Sequence, residues 1–377
     1  MYFNIKHIGK VFVPGKFEIY LQDKTPEYFT EKELNFTAVF RCLKEQGIAV
    51  LQGDRDTVFS IYKAVDRQKK ELVGATVLRH KNIHYRNRCF RAVENSLMLR
   101  ASGNKICMTP EEEVPFLLNL CGETEDGEKE RDYLIPVADY LKITRALEQK
   151  IPVAALGESL FCHYNVLPPQ SRQTYDLIIK ALHTIQPVFN VIPGILDMGC
   201  GCGVISFLAA AVFPGAEIFA TDILVEALGT TKINAVYLQE QGKVRSGSIR
   251  VTGGGNLFES LPAGQKFDII LFNAPWVYAR VKSTVEQAIN DEGFSTVKGF
   301  LAGCCDRLND TGHVMLCHSN HGGDKVQAIL EKLFVEYGFC INHLFKDKIQ
   351  SRMKDKKWVT IYVYDLVCRE YQPGESL

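Results

Sequence analysis

The chain has 377 residues, 46% hydrophobic and 23% charged, with 44 Lys+Arg against 44 Asp+Glu. That length exceeds the usual single domain, so two domains able to bury full cores are expected. The even charge balance excludes any argument from global electrostatics for a nucleic-acid or membrane partner. The Met1 end lacks a charged-then-apolar signal pattern, and no window approaches about eighteen unbroken apolar residues, so a cytoplasmic protein without membrane association is expected. Twelve scattered Cys without a Cys-x-x-Cys pair read as reduced thiols, and no metal site is expected from them.

From the N-terminus, short strand-like runs at 10–13, 17–21, 48–51 and 96–100 accompany helical patterns near 31–45 and 57–70. They predict a separate α/β or α+β domain over residues 1–140. Residues 79–105 hold seven Lys/Arg against Glu94 alone, with Tyr85 and Phe90 interleaved, and residues 111–132 hold nine acids against two bases. Two readings stay open: a solvated basic face followed by an acidic surface loop, or a basic patch for an anionic substrate such as RNA. The stretch 109–132 contains Gly122 and Gly127 and is expected to be a linker or long loop. Residues 137–149 are expected to form a helix bridging to the second half.

From about Leu167 the pattern turns regular. Helical spacing at Tyr175, Ile178, Ile179, Leu182 and Ile185 precedes a strand at 194–197 and a helix at 205–212. Strands at 217–221, 248–251, 267–272 and 313–318 alternate with helices at 224–237, 294–308 and 325–337. Two final strands near 339–345 and 358–366, joined by a basic loop at 346–357, suggest an antiparallel edge pair. The alternation implies a mostly parallel sheet covered on both faces, with ligands at the carboxyl ends of its strands.

Two motifs fall at such strand ends. Asp197-Met198-Gly199-Cys200-Gly201-Cys202-Gly203 places three alternate glycines in a strand-to-helix turn, where a ligand can approach the backbone and meet free helix N–H groups. Asp222 ends the next strand, nineteen residues after Gly203, where an acid accepts hydrogen bonds from ribose hydroxyls. Asp197 could bind an ammonium group directly or through water. A dinucleotide site would prefer Gly-x-Gly-x-x-Gly, but Val204 and Ile205 stand where its third glycine is expected.

With Gly255-Asn256-Leu257-Phe258 and Asn273-Ala274-Pro275-Trp276, residues 195–276 resemble a class I S-adenosylmethionine-dependent methyltransferase. The resemblance implies a Rossmann-like, seven-stranded methyltransferase sheet over residues 141–377. It also implies S-adenosylmethionine as cofactor, held by Gln173, Thr174, Asp197, Gly199, Gly201, Gly203, Asp222, Ile223, Asn256, Leu257 and Asn273. Asn256 stands where the family usually has Asp, and its carbonyl oxygen can still accept a bond from the adenine amino group.

Asn273 to Trp276 resembles the Asn-Pro-Pro-Tyr motif of enzymes that methylate planar nitrogens, the protein-glutamine N5 and nucleobase amino methyltransferases. There the asparagine oxygen and the next carbonyl accept the nitrogen's two hydrogens, which implies a catalytic role for Asn273, Ala274, Pro275 and Trp276. Ala274 replaces the first proline. A lead-in over 146–174 is similar to that of the release-factor glutamine methyltransferases, whereas residues 1–140 do not look like their helical substrate domain. These readings predict an N-methyltransferase acting on a protein glutamine, an RNA or a small molecule, with the N-terminal domain choosing the substrate. The alternative is a binding or scaffold protein that has lost catalysis. The oligomeric state and any substrate contact by His318 or His321 stay open; a polar loop explains His318-x-x-His321 better than a metal site.

Overall fold

The computed structural model describes the chain except residues 6–7, 124–131, 170, 282–283, 351–357 and 370–377. Two units, Met1–Gln149 and Lys150–Leu377, divide it. The helix Val137–Glu148 falls inside the first unit, not across a boundary at residue 140. No described helix is long and apolar enough to cross a membrane.

The first unit is built on an eight-stranded mixed sheet. Six strands run in the order Tyr2–Ile5, Gly9–Phe12, Asp132–Pro136, Leu97–Ser102, Ile48–Leu51, Pro26–Phe29. The hairpin Lys105–Ile106/Glu112–Glu113 branches from Leu97–Ser102. Every residue of Ile48–Leu51 is buried, as a continuous apolar run requires when both faces are covered. Two expectations need correction. The run 17–21 is helical at its start: Gly15–Glu18 forms one turn after Pro14, and only Phe17 of that turn is buried. So short a run carries no periodicity that separates helix from strand. The acidic stretch 109–132 is not a linker in its described parts. Glu112–Glu113 pairs with Lys105–Ile106, Leu117 and Leu120 are fully buried in a short helix, and Asp132 opens a central strand. Residues 124–131, the remainder of that expectation, lie outside the described residues.

The second unit opens with an antiparallel hairpin, Ile151–Val153/Glu158–Leu160, that the sequence reading missed. Helix α1 (Arg172–Ile185) follows, with Ser171 as its N-cap accepting from the Thr174 N–H at 3.2 Å. Then come β1 (Gly194–Met198), α2 (Val204–Val212), β2 (Glu217–Thr221), α3 (Val225–Glu240), β3 (Ile249–Val251) and β4 (Phe267–Asn273). The chain continues through α4 (Ser295–Arg307), β5 (Leu308–Ser319), α5 (Asp324–Glu336), β6 (Phe339–Gln350) and β7 (Trp358–Cys368). The sheet order is 3-2-1-4-5-7-6, parallel throughout except for β7, which runs antiparallel to both β5 and β6.

The apolar runs of β1 and β4 divide by strand alternation between two cores. Ile195, Ile269 and Leu271 face the layer with α1 and α2, whereas Leu196, Ile270 and Phe272 face the layer with α4 and α5. This is the mostly parallel sheet with an antiparallel edge pair that the residue pattern predicted, and the Rossmann-like, seven-stranded sheet that the resemblance implied. Strand order reverses between β1 and β4, and at such a switch point the crossovers leave to opposite faces and open a crevice. Both singled-out motifs sit on its rim.

Candidate functional site

The crevice is a cavity of about 540 Å³, within the range typical of small-molecule sites. It is walled by the turn after β1, the ends of β2 and β4, and the segment leading into α1. Gly199, Gly201 and Gly203 have φ of +69°, +58° and +86°, a region in which side chains are strained. At Gly203 an added Cβ would also lie 2.7 Å from the Phe207 ring. The turn therefore keeps its bare backbone against the cavity, and α2 starts there from a glycine that has no side chain to cap it.

Asp222 lines the cavity at the end of β2. Its Oδ2 accepts from the Gly201 N–H at 3.0 Å and its Oδ1 from the Leu224 N–H at 2.9 Å. These two bonds fix the carboxylate and leave lone pairs on both oxygens for a diol. Burial raises its pKa, while the bonds from Leu224 and Gly201 act the other way. Gln173, Thr174, Ile223, Asn256 and Leu257 also line the cavity. The Thr174 hydroxyl is buried without a partner. Asn256 is exposed; its backbone N–H is held by Glu259 Oε2 at 2.8 Å, which leaves its carboxamide free to face a ligand.

Two expected residues stand behind the wall instead. Asp197 is wholly buried and does not line the cavity. Its Oδ2 accepts from Ser206 Oγ at 2.6 Å, tying β1 to α2, and its Oδ1 has no partner. Burial pushes its pKa up to about 7. An ammonium contact from Asp197 is therefore replaced by a role inside the turn. Gly203 likewise shapes the turn from beneath.

On the opposite wall stand Asn273, Ala274, Pro275 and Trp276. The Ala274 N–H donates to the Cys317 carbonyl at 3.1 Å, which anchors the motif to β5. The Trp276 indole N–H donates to Asn273 Oδ1 at 3.1 Å. That bond was not foreseen, and it orients the carboxamide while leaving one lone pair on the oxygen. Beyond the motif, Val277 exchanges backbone bonds with Ile289 (2.8 Å) and Asp291 (2.9 Å), bringing Ala288 and Ile289 to the cavity. Asp291 in turn caps α4, its carboxylate accepting from the N–H groups of Thr296 (2.9 Å) and Val297 (3.1 Å).

His321 lines the cavity, with its ring 6.1 Å from that of Trp276, but His318 is buried away from it. Among the described residues no cluster of three His, Cys, Asp or Glu could hold a metal. The turn cysteines do not provide thiolates: burial drives Cys200 up, and a hydrogen bond with Cys162 does so for Cys202. Sequence reading also missed Tyr175, Ile349 and Gln350 on the wall. A longer β6 would have pointed to the last two.

Residues 174–343 match the family model described as the methyltransferase small domain. This stretch is similar to that methyltransferase domain. The chain is 29% identical over 194 residues to the release factor glutamine methyltransferase of Bordetella pertussis, covering 47% of this chain and 67% of that one. It is 31% identical over 150 residues to the ribosomal protein uL3 glutamine methyltransferase of the same organism, covering 37% and 47%. A crystal structure of a ribosomal protein L11 methylase from Lactobacillus delbrueckii subsp. bulgaricus aligns at 18% identity over 52% of this chain and 81% of that one, with a TM-score of 0.35. The chain spans about half the length of several curated relatives it matches. The matched stretch falls entirely within the second unit.

Proposed function

We propose that the protein transfers a methyl group from S-adenosylmethionine to a planar nitrogen, with a protein glutamine amide as the first acceptor to test. The observation that carries this is the single cavity on which Asp222 and the glycine turn face the Asn273–Trp276 turn. The residues present suit the cofactor: the bare turn gives backbone approach, Asp222 keeps lone pairs for a ribose diol, and Thr174 offers an unpartnered hydroxyl. When bound, S-adenosylmethionine supplies an electrophilic methyl on a sulfonium sulfur.

The protein's own part is orientation. An amide nitrogen is a poor nucleophile because its lone pair is delocalised into the carbonyl. Asn273 Oδ1 and the Ala274 carbonyl accept its two hydrogens, which aims the lone pair across the cavity and stabilises positive charge growing on nitrogen. Trp276 holds the Asn273 oxygen in place through its N–H and offers a flat surface to the acceptor. The named activities of the relatives support glutamine as the acceptor. The first unit, outside the family match, is assigned the choice of target.

The test pairs calorimetry with methyl transfer to a glutamine-containing peptide and to RNA. S-adenosylmethionine is expected to bind, and Asn273→Ala is expected to keep its affinity within about twofold while turnover falls by roughly 100-fold. No heat at millimolar cofactor would overturn the reading. Equal loss of binding and turnover would show Asn273 to be a cofactor ligand alone.

A further inference from the structure

The first unit carries a helical hairpin that shares little of its core. In helix Arg55–Leu78, which is broken by a kink at Gly74 (φ +77°), the buried residues are Val58, Ile61 and Val65, so nothing beyond Val65 is buried, and helix Ile83–Glu94 buries no residue at all. The two helices pack on one another, and Leu72, Val77, Phe90 and Val93 are half-buried. Their outer surfaces face solvent.

Charge on this hairpin departs from the neutral chain. Between Asp66 and Glu94 lie eight Lys/Arg and three acids. All three acids are engaged: Asp66 and Glu94 bind Lys69 at 2.7 and 2.9 Å, and Glu71 binds Lys44 at 2.5 Å. Arg67, Lys70, Arg79, Lys81, Arg86, Arg88 and Arg91 therefore have no acidic partner among the described residues. His84, Arg88 and Arg91 follow helical spacing along one exposed face of the second helix, and Lys81 precedes them at the tip. Beside them Tyr85, 45% exposed, lies against the His80 ring with centroids 4.5 Å apart.

We infer that this hairpin docks a single-stranded nucleic acid. Unpaired cations at this density bind a phosphodiester backbone by releasing its counterions. Five of the seven are arginines, whose planar forks match phosphate oxygens. The exposed Tyr85 ring and its His80 neighbour provide a stacking surface that an unpaired base can use. This surface belongs to the first unit and stands independently of the methyl-transfer reading.

The test is fluorescence anisotropy of the full chain with 20-nucleotide RNA and DNA strands of mixed sequence, from 50 to 200 mM salt. Binding is expected to weaken steeply with salt. The triple variant Arg79→Gln, Arg88→Gln, Arg91→Gln should bind at least tenfold more weakly at 50 mM and show a log–log salt slope shallower by about 2. Tyr85→Ala should lower affinity while leaving that slope unchanged. The ratio of RNA to DNA affinity separates the two sources of the same chemistry. Wild-type affinity in the triple variant, with circular dichroism showing both folded, overturns the inference. Equal binding of polyglutamate or phosphatidylserine vesicles does so as well.

Discussion

Two buried ionisable side chains in the second unit pull stability in opposite directions with pH. Burial drives the His318 pKa down to about 4, below its usual 6.5, so the unfolded chain takes up the proton first. Its contribution is present above pH 6.5 and is lost as pH falls towards 4, worth at most about 3 kcal/mol. Asp197 is the reverse. With a folded pKa of about 7, its contribution is full below the unfolded value near 3.9 and is lost as pH rises through 7, on the order of 4 kcal/mol. The two windows overlap and nearly cancel. Urea unfolding of His318→Asn between pH 4 and 7 should therefore show stability falling as pH rises, and Asp197→Asn the opposite tilt; parallel curves would mean that neither group titrates as described. On the cavity wall formed by Asn273 to Trp276, Trp276→Phe keeps a flat ring but deletes the N–H to Asn273 Oδ1. Turnover should drop about two- to tenfold with cofactor affinity unchanged, since one hydrogen bond is worth roughly 1 kcal/mol; unaltered turnover would show that the bond does not position Asn273.

At the scale of elements, the glycine turn is held from behind by α3. Asn234, 1% exposed, accepts from the Phe161 N–H and donates to the carbonyls of Phe161 and Cys202, all at 2.9 Å. It stitches the turn to the strand that leads towards α1. Replacing it with Ala strands three buried backbone groups, so thermal unfolding should show a loss of about 2–4 kcal/mol; a loss under about 0.5 would mean that water takes over those bonds. Asn234 was not legible in the sequence because its partners lie 73 and 32 residues away. The parallel strands β1, β2 and β4 were legible, since each carries a short run of buried apolar residues ended by a polar or glycine turn. Helix Ile83–Glu94 escaped for the converse reason: with no buried residue, it has no strong apolar period to read. The outer half of β6 was read as loop because Lys346, Asp347 and Lys348 are exposed on an edge strand, where charge is tolerated. The site motifs were visible because local turns carry them, whereas His321, Ile349 and Gln350 reach the cavity only through the folded sheet.

Across the whole molecule, the family match of residues 174–343 stops short of β7, although the sheet does not. β7 lies between β5 and β6, with Val314 to Ser319 on one side and Phe339 to Gln350 on the other. Its residues are buried in both core layers, Ile361 and Val363 in one and Tyr364 and Leu366 in the other. A chain ending before Trp358 should leave two strand edges unpaired and fail to unfold cooperatively; a cooperative transition in that truncation would show that β7 is dispensable. The placement also bears on how the protein is made. Because the last strand inserts between two earlier ones, the ribosome must release Cys368 before β5 and β6 can be joined through it. The first unit can fold while synthesis continues, but the second must wait, with β6 exposed as an edge. Co-translational helpers that shield such edges would therefore matter most until β7 has left the ribosome.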